Sequence, residues 1–356
     1  MLRVTRLDGR PADWDRRIVQ YPQKTLFHES CWHAHLLDIH PSSRLDYFEL
    51  RDGSEVVGLY CLQTIRRFML PLSGSPLPGT GTNYMGPLYS GTVGLADVVA
   101  AIRSQLEQRW VGHLEVASPA FDGKVDELVD AGFDVHRGVT HTVPLGGSEE
   151  VAWAAMRSTC RNRVGKARKN GLVAEVTSDE SIVDHFQAQF AEVYAKQGMA
   201  TPFGIARPRS LFQRLLPAGR LLPIWVRNGS EVIAAGLFPF DEKAIYFWGA
   251  ASWIRAQHMN PNELLHWTVI ANAVARSIPV YNMCGGMSQF KDKFGGADVP
   301  YNHYSLSRPH ALVGARSAYQ TFRRASLKVR GARKREQVGT RGGATPSVGE
   351  DRGDAE

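Results

Sequence analysis

The 356-residue chain lacks a run of about 20 apolar residues, the length a helix needs to cross a membrane. Its opening, MLRVTRLDGRPADWDRR, has no apolar segment of the kind a secretory leader carries. Cysteine is scarce. Cys31, Cys61, Cys160 and Cys284 stand far apart, without a CxxC pair or closely spaced histidines, which argues for reduced thiols and a cytoplasmic setting. No HExxH and no carboxylate–histidine cluster points to a metal. The stretch PLPGTGTNYMGPLY (76–89) is rich in glycine but lacks the Gly-Lys-Ser/Thr of a triphosphate-binding loop. GGMSQF has the wrong glycine spacing for a nucleophile elbow. Metal-dependent, triphosphate-hydrolysing and serine-hydrolase chemistries are all left without a motif.

Charge is present but unevenly placed. Residues 312–335 carry eight Lys or Arg and no acid, and residues 336–356 carry five acids against two arginines. Of the net +7, only about +2 therefore belongs to residues 1–311. The basic balance is a property of the C-terminal tail, and it gives little support to DNA binding by the body. Leu312, Ala315, Tyr319, Phe322, Ser326 and Val329 step by 3 and 4, with Arg316, Arg323 and Arg330 repeating every seven. This pattern predicts a basic amphipathic helix over 312–335, either laid on an anionic membrane surface or folded back on the body. The polar stretch 336–356 is expected to be disordered.

With 43% hydrophobic residues the chain can bury a sizeable core, most naturally in two domains. A repeated phrase says how they are related. RDGSEVV (51–57) returns as RNGSEVI (227–233), each time with an Asp-Gly or Asn-Gly step between β-rich runs, the pattern of a tight hairpin. After the first hairpin come an apolar-periodic helix (LADVVAAIRSQLEQRW), a strand (HLEVAS), a short helix (KVDELVDAG) and a strand (FDVHRGVTHTVPL). After the second come NELLHWTVIANAVARS, VYNMC, SQFKDKFGG and YNHYSLS, in the same order and of similar lengths. Self-similarity of this kind means duplication. The expected architecture is α+β, with two domains side by side over residues 1–147 and 148–311, each with helices on its own largely antiparallel sheet.

A meander followed by helix, strand, helix and strand is the order of the GNAT acyltransferase fold. The tandem arrangement resembles the FemAB group of peptidoglycan peptide transferases and the related CelD-like acetyltransferases of polysaccharide loci. Two segments carry the resemblance: STCRNRVGKARKNGLVAEV (158–176), similar to the basic helix that opens the group's second domain, and FKDKFGG (290–296), similar to its Phe-Lys followed by an aromatic-Gly. TLFHESCWHAHLLDIH is a looser match to the group's opening helix, and the whole covers about residues 25–308. The resemblance implies transfer of an acyl or aminoacyl group to an amine or hydroxyl of a cell-envelope or polysaccharide precursor. It implies no tightly bound cofactor, with acyl-CoA or aminoacyl-tRNA as co-substrate. It also fits a cytoplasmic protein, peripheral at the inner face of the membrane if the tail binds there. The alternative is a non-catalytic protein that uses the basic helix and tail for nucleic acid or an anionic membrane.

Site residues follow from the same two sources. Read physically, a helix runs from an N-cap at Ser148, with Glu149 and Glu150 behind it, to a C′ glycine at Gly171. Trp153, Met156, Cys160, Val164 and Ala167 make its buried stripe, while Arg157, Arg161 and Arg168 fall along one margin. Those arginines are either a solvated face with partners elsewhere or an anion site for a phosphorylated substrate, where guanidinium forks suit phosphate. Lys291 matches the group's lysine, which implies that it neutralises a phosphate or the oxyanion that develops on an acyl carbonyl. Phe290 then shapes the pocket. In the GNAT arrangement the acyl donor enters between two splayed parallel strands, here AIYFWGA (244–250, with Trp248 on the substrate side) and VYNMC (280–284). The donor's diphosphate meets the helix start near Asn262. Arg255 is the nearby cation in SWIRAQHMNPNE, which lacks the glycine-spaced loop usual for coenzyme A. Asn83 and Tyr84 are candidates to line the substrate groove, and no general base is identifiable.

Overall fold

The computed structural model describes residues 2–307 apart from 68–69, 110–111, 122 and 286–288. The expected basic helix (312–335) and disordered tail (336–356) lie outside the described residues. The first half opens with β1 (Arg3–Arg6), α1 (Trp14–Ile18) and α2 (Ser30–Ile39). The hairpin β2 (Arg44–Asp52) and β3 (Glu55–Arg67) follows, then β4 (Leu70–Ser75), the short β5 (Leu88–Tyr89) and α3 (Leu95–Arg109). β6 (His113–Val116), α4 (Val125–Asp130) and β7 (Asp134–Pro144) complete it. The second half runs α5 (Glu149–Ala155), α6 (Ser158–Lys169), β8 (Leu172–Val176), α7 (Ser181–Lys196), α8 (Ala206–Leu215), and the hairpin β9 (Leu221–Asn228) and β10 (Glu231–Pro239). β11 (Ala244–Tyr246), β12 (Gly249–Ser252), α9 (Pro261–Ala275), β13 (Val280–Gly285), α10 (Gln289–Asp292) and β14 (Ala297–Ser307) close the chain's described part. Every element of the repeated phrase occurs twice, in the expected order.

The two hairpins form, but their turns are not centred where the Asp-Gly and Asn-Gly steps suggest. Asp52 pairs with Glu55 and Asn228 with Glu231, so the loops are Gly53-Ser54 and Gly229-Ser230. Gly53 and Gly229 have φ of 57° and 58°, whereas Asp52 and Asn228 have no positive φ. One positive-φ glycine in the first loop position is the requirement of a type II′ turn. The predicted helix over 148–170 is broken in two. Ser148 Oγ accepts from the Val151 N–H at 3.3 Å and Gly171 is left-handed at φ 78°, so both ends stand as read. Met156 and Arg157 between them are extended, and the Arg157 N–H donates to Lys293 O at 3.0 Å instead of continuing the helix.

The sheets do not divide as the sequence does. A ten-stranded sheet runs β1-β2-β3-β4-β6-β14-β7-β13-β11 with β5 on β3, and a four-stranded sheet runs β12-β10-β9-β8. The last strand of each half is thus exchanged: β14 of the second half lies beside β6 of the first, while β7 of the first lies beside β13 of the second. β7 and β14 also pair with each other, antiparallel from Ala297↔Thr142 to Ser305↔Asp134. The expected pair of self-contained sheets is therefore replaced by one sheet that both halves build. Its parallel pairs are β4–β6 and β11–β13, in equivalent places in the two repeats.

Helices cover these sheets with the faces their periodicity dictates. α9 buries Leu265, Val269, Ile270 and Ala273 against Ile224, Phe238 and Tyr281. α3 buries Val98, Val99 and Ile102 against Phe48, Tyr60 and Leu114 in the first half. A third core joins the halves, with Trp32 and Leu36 of α2 against Phe186, Leu211 and Leu237. No helix among the described residues is long and apolar enough to cross a membrane.

Candidate active site

β11 and β13 run parallel only from Ala244↔Val280 to Tyr246↔Asn282. The Phe247 N–H still donates to Asn282 O at 2.8 Å, but from Gly249 the chain has turned to pair with β10 at Leu237. The strands part because one of them changes sheet. A cleft of about 150 Å³ opens at that point, and both halves line it: Phe27, Gly81 and Asn83 from the first, with Phe203, Arg207, Pro239, Tyr246, Phe247, Trp248 and Cys284 from the second. Trp248 is fixed by Phe203 at 5.3 Å and Phe186 at 6.1 Å between centroids. Gly81 (φ +78°) passes so near that a Cβ there would lie 3.1 Å from Trp248 Nε1. Arg207 lies over the Phe203 ring at 5.4 Å and donates to Gly79 O at 2.9 Å.

The polar contacts across the cleft tie the halves together. Asn83 Nδ2 donates to Cys284 Sγ at 3.5 Å, and Tyr301 of β14 donates its hydroxyl to Asn83 O at 2.5 Å. Tyr84 turns into the junction core, edge-on to Tyr301 at 4.9 Å, and its carbonyl accepts from the Thr25 hydroxyl at 3.0 Å. Asn83 and Trp248 therefore stand in the cleft, with Tyr84 behind its wall.

Lys291 is buried at 8% exposure and its Nζ donates to the carbonyls of Cys284 (3.0 Å) and Gly285 (2.8 Å). Burial pushes its pKa down, against an opposing pull from Cys284 and Asp298. The ammonium thus fastens the end of β13, where Cys284 takes a left-handed φ of 60° and turns its thiol into the cleft. Burial also pushes the Cys284 thiol up, which keeps it protonated and a poor nucleophile. Phe290 packs on His266 (5.2 Å) and Phe294 (5.4 Å), with Lys293 Nζ 4.3 Å from its ring centre. It supports the helix that carries Lys291 and does not line the cleft.

The side chains of Arg161 and Arg168 on α6 are set on other work. Arg161 donates to the carbonyls of Ala154 (3.1 Å) and Met156, satisfying the exposed C-terminus of α5. Arg168 lies over Trp153 at 6.0 Å, and Arg157 holds α6 to Lys293 through its backbone. None of the three lines the cleft. Arg163 and Lys293 both reach Glu263, at 2.9 and 2.6 Å. Burial would raise that carboxyl's pKa, but these two cations hold it below the ordinary value. The start of α9, with Asn262 in its first turn, is therefore already furnished with a carboxylate of its own. Arg255 is exposed, ion-paired with Glu231 and stacked on Trp253 at 5.1 Å.

Sequence reasoning missed Phe27, Gly81, Phe203, Arg207, Phe247 and Cys284. Only the three successive aromatics of YFW (246–248) gave a signal. Near Lys291, His141 Nδ1 meets Asp298 at 2.9 Å. It does not line the cleft. Among the described residues no cluster of His, Cys, Asp or Glu could hold a metal ion.

Residues 154–292 match the family model described as "Acetyltransferase (GNAT) domain". No curated protein matches the chain. Among solved structures, FemX superposes with a TM-score of 0.72 at 12% identity, over 87% of this chain and 99% of that one. A tandem GNAT protein from the clavulanic acid biosynthesis pathway gives 0.52 at 12%, over 86% and 98%. The C-terminal domain of a putative lysylphosphatidylglycerol synthetase from Agrobacterium fabrum gives 0.54 at 11%, over 80% and 90%. At these identities the likeness is one of fold. The chain thus shares its overall fold with tandem GNAT proteins, and residues 154–292 of its second half match a GNAT acetyltransferase domain.

Proposed function

We propose that the chain transfers an acyl or aminoacyl group from acyl-CoA or a charged tRNA to an amine or hydroxyl of a cell-envelope or polysaccharide precursor. The observation that carries this reading is the parting of β11 and β13 into a cleft that both halves wall, with Lys291 anchoring the strand end beneath it. The donor's carbonyl would sit where the strands separate, and the acceptor would enter from the junction side past Asn83. The acceptor's nitrogen or oxygen attacks the carbonyl carbon, the new C–N or C–O bond forms, and the thiolate or tRNA hydroxyl departs. The attacker's proton passes to the leaving group or to water, since no side chain in the cleft is a strong base. Lys291 serves by position. By holding the carbonyls of Cys284 and Gly285 it keeps the floor of the site in one shape while charge moves above it.

The non-catalytic alternative draws less support, because Arg161, Arg163 and Arg168 of α6 are engaged within the fold. Purified protein incubated with a panel of acyl-CoAs and charged tRNAs, together with amino-sugar and peptidyl acceptors, should give a product heavier by one acyl group. Absence of any mass gain, alongside tight salt-sensitive binding of duplex DNA, would favour the alternative.

A further inference from the structure

Resting on that reading, we infer that the cleft selects a ring-sized apolar acyl group, aromatic or branched, in preference to acetyl. Its volume is about 150 Å³, roughly that of an apolar cavity that accepts one benzene. An acetyl methyl would leave most of the lining facing water, and so forgo the dispersion contacts and apolar burial that a larger acyl group makes there. The walls cannot close to compensate. Phe27 is locked against Trp32 and Tyr246 at 4.8 Å each, and the Tyr246 hydroxyl is held by Asp241 at 3.4 Å. Trp248 is wedged between Phe186, Phe203 and the Gly81 backbone, and Phe203 is itself stacked on Phe190 at 5.1 Å.

The polar groups of the lining are Asn83, Cys284, the Tyr246 hydroxyl held by Asp241, and Arg207, which is engaged with the Phe203 ring and Gly79 O. Asn83 spends its amide on a thiol at 3.5 Å, a weak bond that a substrate carbonyl can displace. A few polar groups on a wall half of whose residues are aromatic is the arrangement that orients a small apolar ligand. In this geometry the acyl carbonyl faces Asn83, and the ring or branched chain lies against the wall that Phe203 and Trp248 form together.

Calorimetric titration of the full chain with the N-acetylcysteamine thioesters of acetate, isovalerate and benzoate, and with free benzamide, tests the inference. The benzoyl and isovaleryl esters should bind about tenfold or more tighter than the acetyl ester. Phe203→Ala, at a half-buried position, should weaken benzoyl binding about tenfold and acetyl binding by much less. Trp248→Phe should act likewise but less. Acetyl binding as tight as benzoyl, or equal losses for both esters in Phe203→Ala, overturns the size preference while leaving the acyltransferase reading intact. Benzamide binding that Phe203→Ala weakens, with no binding of any thioester, keeps the apolar ring site and overturns the acyl-donor reading. No binding of any probe overturns the inference.

Discussion

In the first half β4 and β6 part after Ser75 and Val116, as β11 and β13 do after Tyr246 and Asn282 in the second. In the first half that opening is filled by the protein's own chain. Met85 and Gly86 both donate to Ala117 O, at 3.3 and 3.0 Å, and Ala117 N–H donates back to Ser75 O at 3.0 Å. Gly86 lies so close that a Cβ would come within 2.7 Å of Ser118 Cβ and 2.9 Å of Ala117 O. The equivalent opening in the second half is the aromatic cleft. The filling segment has a second role, since Gly81 and Asn83, a few residues upstream, wall the neighbour's cleft. One copy has thus become a support for the other. The two short helices show the same split. Counting four back from their left-handed glycines, Gly132 and Gly295, the equivalent positions are Leu128 and Lys291, both buried. A core leucine in one repeat is a carbonyl-binding lysine in the other.

The largest test of that asymmetry is to exchange those residues. Leu128→Lys places an ammonium in a core of Phe121, Ile102 and Tyr304 with no carbonyls arranged for it, and should cost about 3–5 kcal/mol in urea unfolding. A loss under 1 kcal/mol would mean that the halves are more alike there than the packing shows. Lys291→Leu leaves the carbonyls of Cys284 and Gly285 without their donor. It should cost roughly 2–3 kcal/mol and abolish transfer. Full turnover in a folded variant would remove Lys291 from the site.

Acid probes the same comparison through several groups at once. Burial pushes His28 down to about 4 and His33 and His35 to about 3, all within 28–35 of the first half. In the second half His266 lies at about 3 for the same reason. An unfolded imidazole takes up a proton below about pH 6.5, while these stay neutral. Stability present above 6.5 is therefore lost as the pH falls toward the folded values, by about 2 kcal/mol for each histidine at pH 5. Amide exchange should show α2 losing more protection than α9 between pH 7 and 5. Equal losses would erase the regional difference. The smallest effect should be shared. Gly53→Ala and Gly229→Ala meet no neighbouring atom but sit at φ 57° and 58°. Each should cost about 1 kcal/mol, and unequal costs would show that the turns have diverged.

Much of the fold was readable because it is local. The hairpins, α9, β13 and the left-handed Gly171 follow from turn residues, apolar period and capping, which act over a few residues. The break at Met156 was not readable, because the donor that ends α5 there is offered to Lys293 O, more than a hundred residues away. The arginines of α6 looked like an anion site for the same reason: periodicity gives a residue's face but not its partner. Asn83 and Trp248 line the cleft together with Phe203, Arg207 and Cys284, which carry no local signature of a wall.

Duplication, element order and the buried helix stripes were legible in the sequence alone, since each is a matter of residue type at short spacing. Tertiary structure decided the exchange of β7 and β14, which opening is filled and which is left as a cleft, and which cations are used up inside the fold. Those outcomes depend on contacts between residues that the chain brings together only after its sheets have paired, so no window of sequence contains them.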